Sequence, residues 1–176
     1  TPFPLFMNRK IGQYGGALPG TLVLAFGALH GNEPAGVHAL KEVFRMLDNE
    51  RSVHPGFVFH GKFVGFIGHL QAFHNNVRFL DQDLNRIWEP SFVEKLLREK
   101  KSDQTGEALE VVEIFESIRA EILAFPAKEI VLLDLHTTSA DGGIFSIPTD
   151  ETGSLALARE LEVPVILRLQ DSIEGP

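Results

Sequence analysis

Two apolar runs, within Thr21–Leu29 and Glu129–Asp134, constrain this chain more than any other feature. Each has the length of a strand and neither alternates with polar residues, so each reads as a strand covered on both faces, as in parallel sheets. Between them Pro34 opens a segment in which Val37, Leu40, Val43, Phe44 and Leu47 recur at helical spacing, which predicts an amphipathic helix over 34–48. The phenylalanine-rich stretch Gly56–Gly68 reads as one or two strands, and residues 69–89, polar and aperiodic, as a long loop of the kind that carries function. Further helices are predicted at Glu94–Arg98 and Glu107–Leu123, the second with Leu109, Val112, Phe115, Ile118 and Ile122 on one face. An exposed linker, Lys100–Gly106, joins them. After Gly142-Gly143 come a short strand to Pro148, a helix near 152–162 and a strand at 163–169. Strands alternating with helices predict an α/β fold, a mainly parallel or mixed central sheet flanked by helices with right-handed crossovers.

Composition removes several classes of function. With no cysteine, disulfide frameworks, thiolate zinc sites and cysteine nucleophiles are excluded, so any metal falls to histidine and carboxylate. The net charge of −8 opposes a nucleic-acid role, although arginines can still focus the field on a small anionic substrate. No apolar run approaches the ~18 residues that span a bilayer, so no membrane role is expected and a cytoplasmic home is the default. At about 150 residues per domain, 176 residues make one domain or one and a fraction. The chain starts without Met and stops at Ser172-Ile-Glu174-Gly-Pro176, just after an apolar run, so it reads as a fragment of a longer polypeptide. Oligomeric state leaves no mark in the sequence.

His30 and Glu33 lie just past the first apolar strand, on a Gly31-Asn32 turn entering a helix. That sheet edge is where open α/β folds bind ligands, and the spacing lets an imidazole and a carboxylate converge on one point. Alone, the pair is better read as a helix cap. Asp134-Leu135-His136 changes the balance, because it ends the second apolar strand and brings His136 to the same edge. Asp134, two residues earlier, points to the same side and can accept the other ring N–H of His136. Two histidines and one glutamate with an open fourth position form the catalytic zinc pattern, so a metal site becomes the better reading. The loop Arg78-Phe-Leu-Asp-Gln-Asp83-Leu-Asn85-Arg86 offers two arginines and an asparagine, a fork for a carboxylate and a donor to a developing oxyanion. By itself it is better read as a solvated loop with an Arg–Asp pair. His38 and His54 read as surface or helix-end residues, while His60 and His74 lack partners at ligand spacing.

Together, His30-Gly-Asn-Glu33, Arg78-x-x-x-x-Asp83-Leu-Asn85-Arg86 and Asp134-Leu-His136-Thr-Thr resemble the succinylglutamate desuccinylase and aspartoacylase family, relatives of the zinc carboxypeptidases. The three motifs run in the family's order from position 30 to about 140. The resemblance implies a zinc carboxypeptidase-like fold whose C-terminal part is missing here, the chain being a zinc hydrolase catalytic domain followed in the family by a β-rich domain. It implies one zinc per chain on His30, Glu33 and His136, with Asp134 and Asp83 behind those ligands. It also implies hydrolysis of an N-acyl amide of a small anionic substrate, Arg78 polarising the scissile carbonyl while Asn85 and Arg86 hold a substrate carboxylate. The family's general-base glutamate is expected beyond residue 176, and Glu174 is not assigned to that role. One departure is His69, in Gly68-His69-Leu70-Gln71-Ala72, where these relatives have Asn after the Gly. The alternatives are a zinc carboxypeptidase acting on peptide C-termini and a metal-binding relative without catalysis.

Overall fold

In a computed structural model, which describes residues 8–138, 142–149 and 152–167, both apolar runs become neighbouring strands of one sheet. Its strands are β1 (Lys10–Gly15), β2 (Leu22–Gly27), β3 (Lys62–Ile67) and β4 (Ile130–Leu135), in the order β1-β3-β2-β4. β2 pairs in parallel with β3, from Leu22↔Lys62 to Gly27↔Ile67, and with β4, from Leu22↔Ile130 to Gly27↔Leu135. β1 is antiparallel to β3, so the sheet is mixed. The sequence gives no warning of β1, because Lys10-Ile-Gly-Gln-Tyr-Gly15 carries two glycines and no apolar alternation. β4 departs from the two-faced burial expected of it. Ile130 is 44% and Leu132 62% exposed, alternate residues on the one face of β4 that is left uncovered among the described residues. Apolar composition marks a strand without showing whether both of its faces are covered.

Helices cover both faces of the sheet. Leu22, Leu24 and Phe26 of β2 and Val64 and Phe66 of β3 share one face by their two-residue alternation. There they form a cluster with Val93 and Leu96 of α3 (Pro90–Arg98) and Val111, Val112 and Ile114 of α4 (Gly106–Ala124). Phe26 and Phe66 stack at 5.2 Å. Each fully buried side chain of this size stabilises the fold by roughly 1.5–3 kcal/mol. On the opposite face α1 (Ala35–Val53) packs against β1, β2 and β3 through Val37 and Leu40. It runs past residue 48, because Asp48–Val53 contains no helix breaker to stop it.

The stretch 69–89 is more ordered than its aperiodic sequence predicts. It holds helix α2 (Leu70–Asn75), a 3-10 turn at Leu84–Arg86 and the Glu89 cap of α3. α2 is under two turns long, too short for a periodicity to register, and is fixed by its ends. The His69 ring accepts from the Ala72 N–H, and Asn76 closes the helix in the left-handed conformation at φ 52°. The Lys100–Gly106 linker likewise holds a 3-10 turn at Lys101–Asp103, and its Gln104 is buried with Nε2 donating to the Leu96 carbonyl.

The chain divides into two compact units, the first ending at Thr137 and the second beginning at Thr138. In the second, the predicted helix is α5 (Thr152–Glu160), and among the described residues the two predicted strands meet in a parallel bridge, Ser146↔Val165. Residues 168 and 169 of the last predicted strand lie outside the described residues.

Candidate metal centre

Because β2 and β4 run parallel in register to Gly27↔Leu135, their carboxyl ends lie side by side and His136 follows directly. The chain leaves β2 through Ala28, buried and held at φ 59°, a left-handed conformation that costs a non-glycine residue about 1–2 kcal/mol. That reversal feeds the His30–Glu33 turn, closed by the Glu33 N–H donating to the His30 carbonyl at 3.0 Å. Gly31 lies flat against α2, where a Cβ would come within 2.1 Å of the Ala72 carbonyl carbon. Its N–H donates to the Arg78 carbonyl at 3.1 Å, tying the turn to the arginine loop. β3 and β4 flank β2 on opposite sides, so this edge is also the point at which the strand order reverses, the usual ligand site of open α/β sheets.

The Glu33 carboxylate sits between two imidazoles. Its Oε1 is 2.9 Å from His30 Nδ1 and its Oε2 is 3.4 Å from His136 Nδ1, with the two rings 5.1 Å apart. Each ring has a second carboxylate on its far nitrogen. His30 Nε2 is 3.0 Å from Asp83 Oδ1, and His136 Nε2 is 2.5 Å from Asp134 Oδ2. With Nε2–H donated to the carboxylate behind it, each ring would turn an Nδ1 lone pair toward a cation held at Glu33. Ligand atoms of His30, Glu33 and His136 lie within 4.8 Å of one another, the one such group among the described residues. Two imidazole nitrogens and a carboxylate, the rings oriented from behind, fit a catalytic-type zinc.

With the rings carrying their protons, charge holds the same groups together. Burial pushes the Glu33 carboxyl up, but the Thr137 N–H and the His30 and His136 rings more than reverse it, leaving it below the usual range. Asp83 behaves alike, burial being outweighed by the Asn85 N–H, His30 and Arg78. The hydrogen bond to Asp134 raises His136 against the opposing effect of burial. Both carboxylates therefore stay ionised through the neutral range.

Arg78 reaches into the group. Its guanidinium lies 3.0 Å from His30 Nε2, 3.3 Å from Asp83 Oδ2 and 3.4 Å from Glu33 Oε1, and the side chain is 48% exposed. Asn85 and Arg86 stand in the 3-10 turn directly after Asp83, both exposed and without a side-chain partner among the described residues. Glu174 lies outside the described residues. Sequence reasoning missed a second cluster one layer in, formed by Arg9, His69, Glu107 and Glu110, all buried. Its signal is Glu107 and Glu110, which share one face of α4 with the apolar Val111 and Ile114 at helical spacing.

Among solved structures, the succinylglutamate desuccinylase from Chromobacterium violaceum superimposes with a TM-score of 0.59 at 20% identity, over 88% of this chain and 47% of that one. The fold is therefore shared. Succinylglutamate desuccinylases from Vibrio parahaemolyticus and Vibrio cholerae match at TM-scores of 0.45 and 0.46, with 15% and 19% identity, over 77% and 73% of this chain and 42% and 34% of theirs. The chain thus spans less than half the length of each of these three relatives. No curated protein matches. A family model, the succinylglutamate desuccinylase/aspartoacylase catalytic domain, matches residues 19–175, nearly the whole chain, and the chain belongs to that family.

Proposed function

We propose that the chain carries the metal centre of a zinc-dependent amidohydrolase acting on an N-acyl amino acid or a similar small carboxylate. The observation that carries this reading is the convergence of His30, Glu33 and His136 with the Arg78 guanidinium beside them. Zinc on those three residues would supply Lewis acidity toward an amide carbonyl and make water a better nucleophile at neutral pH. Asp83 and Asp134 hold the two rings in the tautomer and orientation that the ion requires. Arg78, half exposed and 3.4 Å from Glu33, would donate to the carbonyl oxygen as negative charge develops there. Arg86 and Asn85, exposed and without a side-chain partner among the described residues, offer a planar fork and an amide to the substrate carboxylate.

A panel of N-acyl amino acids against peptides with free C-termini tests the reading in the full-length protein. Turnover confined to the N-acyl amino acids is the expected result. Preference for peptides would assign a carboxypeptidase, and zinc binding without turnover of either class a non-catalytic relative.

A further inference from the structure

The loop that carries Arg78 and Asp83 to the histidines forms no helix or strand between Val77 and Asp83, yet both side chains meet His30 at 3.0 Å. Something outside the loop must hold it. Between those two residues, the N–H groups of Leu80 and Asp81 both point at one buried carboxylate, Glu107, at 2.7 and 3.2 Å from its Oε1. Glu107 opens α4, and the same oxygen lies 3.0 Å from His69 Nε2, on a ring that is 0% exposed. The approach of helix to loop is close. Gly106, at φ +55°, has Asp81 Oδ2 only 3.2 Å from where a Cβ would stand.

His69 is fixed in turn from its other side. Its Nδ1 caps α2 through the Ala72 N–H and lies 3.5 Å from Glu110 Oε1. Glu110 also accepts the Leu70 and Gln71 N–H groups and pairs with Arg9 Nη2 at 2.7 Å. Buried carboxylates persist only where every lone pair is used. Here Glu110 is used on α2 and Glu107 on the loop.

We propose that Glu107 and His69 are positioning residues for the His30–Glu33–His136 site: Glu107 pins the loop at Leu80 and Asp81, His69 orients Glu107, and the loop thereby sets Arg78 and Asp83 on His30. The proposal deepens the zinc hydrolase reading and rests on it for its catalytic consequence, though not for the loop contact itself. Nothing in it needs His69 or Glu107 to touch substrate.

The test compares wild type with Glu107→Gln, which keeps the side chain's shape but cannot accept two N–H groups and meet His69 as well. Amide exchange at Leu80 and Asp81 should accelerate about tenfold, the loss of one charge-assisted bond. Exchange at Val111 and Val112 within α4 should not change. Zinc affinity, read by chelator competition, should fall about tenfold as Asp83 loosens from His30. In the full-length protein, kcat for an N-acyl amino acid should fall roughly tenfold to 10²-fold with little change in KM. His69→Asn separates the roles, because Asn still caps α2 but is too short to reach Glu107; it should shift the same quantities in the same direction by less, and it serves where Glu107→Gln does not fold. Unchanged exchange at Leu80 and Asp81 would overturn the proposal. So would faster exchange with zinc affinity and kcat unmoved, which would make the contact merely structural. A wild type that turns over no N-acyl amino acid sinks the hydrolase reading alone, with exchange and zinc affinity still deciding the loop assignment.

Discussion

The site at the sheet edge and the buried cluster behind it use the same residue types to opposite ends. At the edge, three carboxylates, Glu33, Asp83 and Asp134, surround two histidines, and the guanidinium that reaches them, Arg78, is half exposed. In the interior, Glu107 and Glu110 are met by Arg9, His69 and four backbone N–H groups, so the acceptors are consumed internally. A carboxylate–histidine cluster becomes a ligand site when its negative charge exceeds its donors and its nitrogen lone pairs converge. It becomes a fastening when backbone and arginine donors close it.

The sharpest way to break this comparison is to remove a carboxylate from each cluster. Glu110→Ala leaves the Leu70 and Gln71 N–H groups without an acceptor and removes one of the two carboxylates on Arg9, the other being Glu113, and should cost about 3 kcal/mol in urea unfolding, with or without zinc. Glu33→Gln keeps an acceptor for the Thr137 N–H, so it should change metal-free stability little and abolish the stabilisation conferred by zinc. Equal losses in the metal-free state would erase the distinction.

Acidity probes the interior cluster separately. Glu110 is held down to about 2 against the opposing effect of burial, by His69, Arg9 and the Gln71 N–H, from an ordinary value of 4.5. A carboxylate depressed on folding contributes stability above its unfolded value and loses it as pH falls. About 3 kcal/mol should therefore disappear between pH 4.5 and 2. His69 is raised, the two glutamates outweighing burial, so its contribution is present below pH 6.5 and lost as pH rises through its folded value. Stability measured against pH should fall off on both sides, and Glu110→Gln should flatten the acid limb.

Smaller effects sharpen the edge site. Arg78→Ala should lower kcat by about 10²–10³ with KM little changed, because its contact strengthens as charge develops. Arg86→Ala should mainly raise KM, with Lys recovering little. The reverse pattern would exchange their roles. Asp134→Asn should weaken zinc by about 10–100-fold without releasing it.

Much of this was legible in the sequence where a chemical pattern coincided with a structural one. The apolar runs gave β2 and β4, and residues at their ends gave His30, Glu33 and His136, because parallel strands in register must deliver their carboxyl ends to one edge. The order within 69–89 was not legible. α2 is too short to show a period, and it is fixed by Glu110 some forty residues away. The apolar face expected on α4 was also incomplete, since Leu109 lies outside the core cluster while Glu107 and Glu110 are buried. A helical period records hydrophobicity and passes over an acid whose burial is compensated by a distant backbone.

Metal content tests the central claim most directly. Mass spectrometry of wild type, loaded with zinc and desalted, should give about one zinc per chain, and His30→Ala should retain almost none, because two remaining ligands bind weakly. A His30→Ala protein that holds zinc at full stoichiometry would contradict the assignment of His30, Glu33 and His136 as the metal centre.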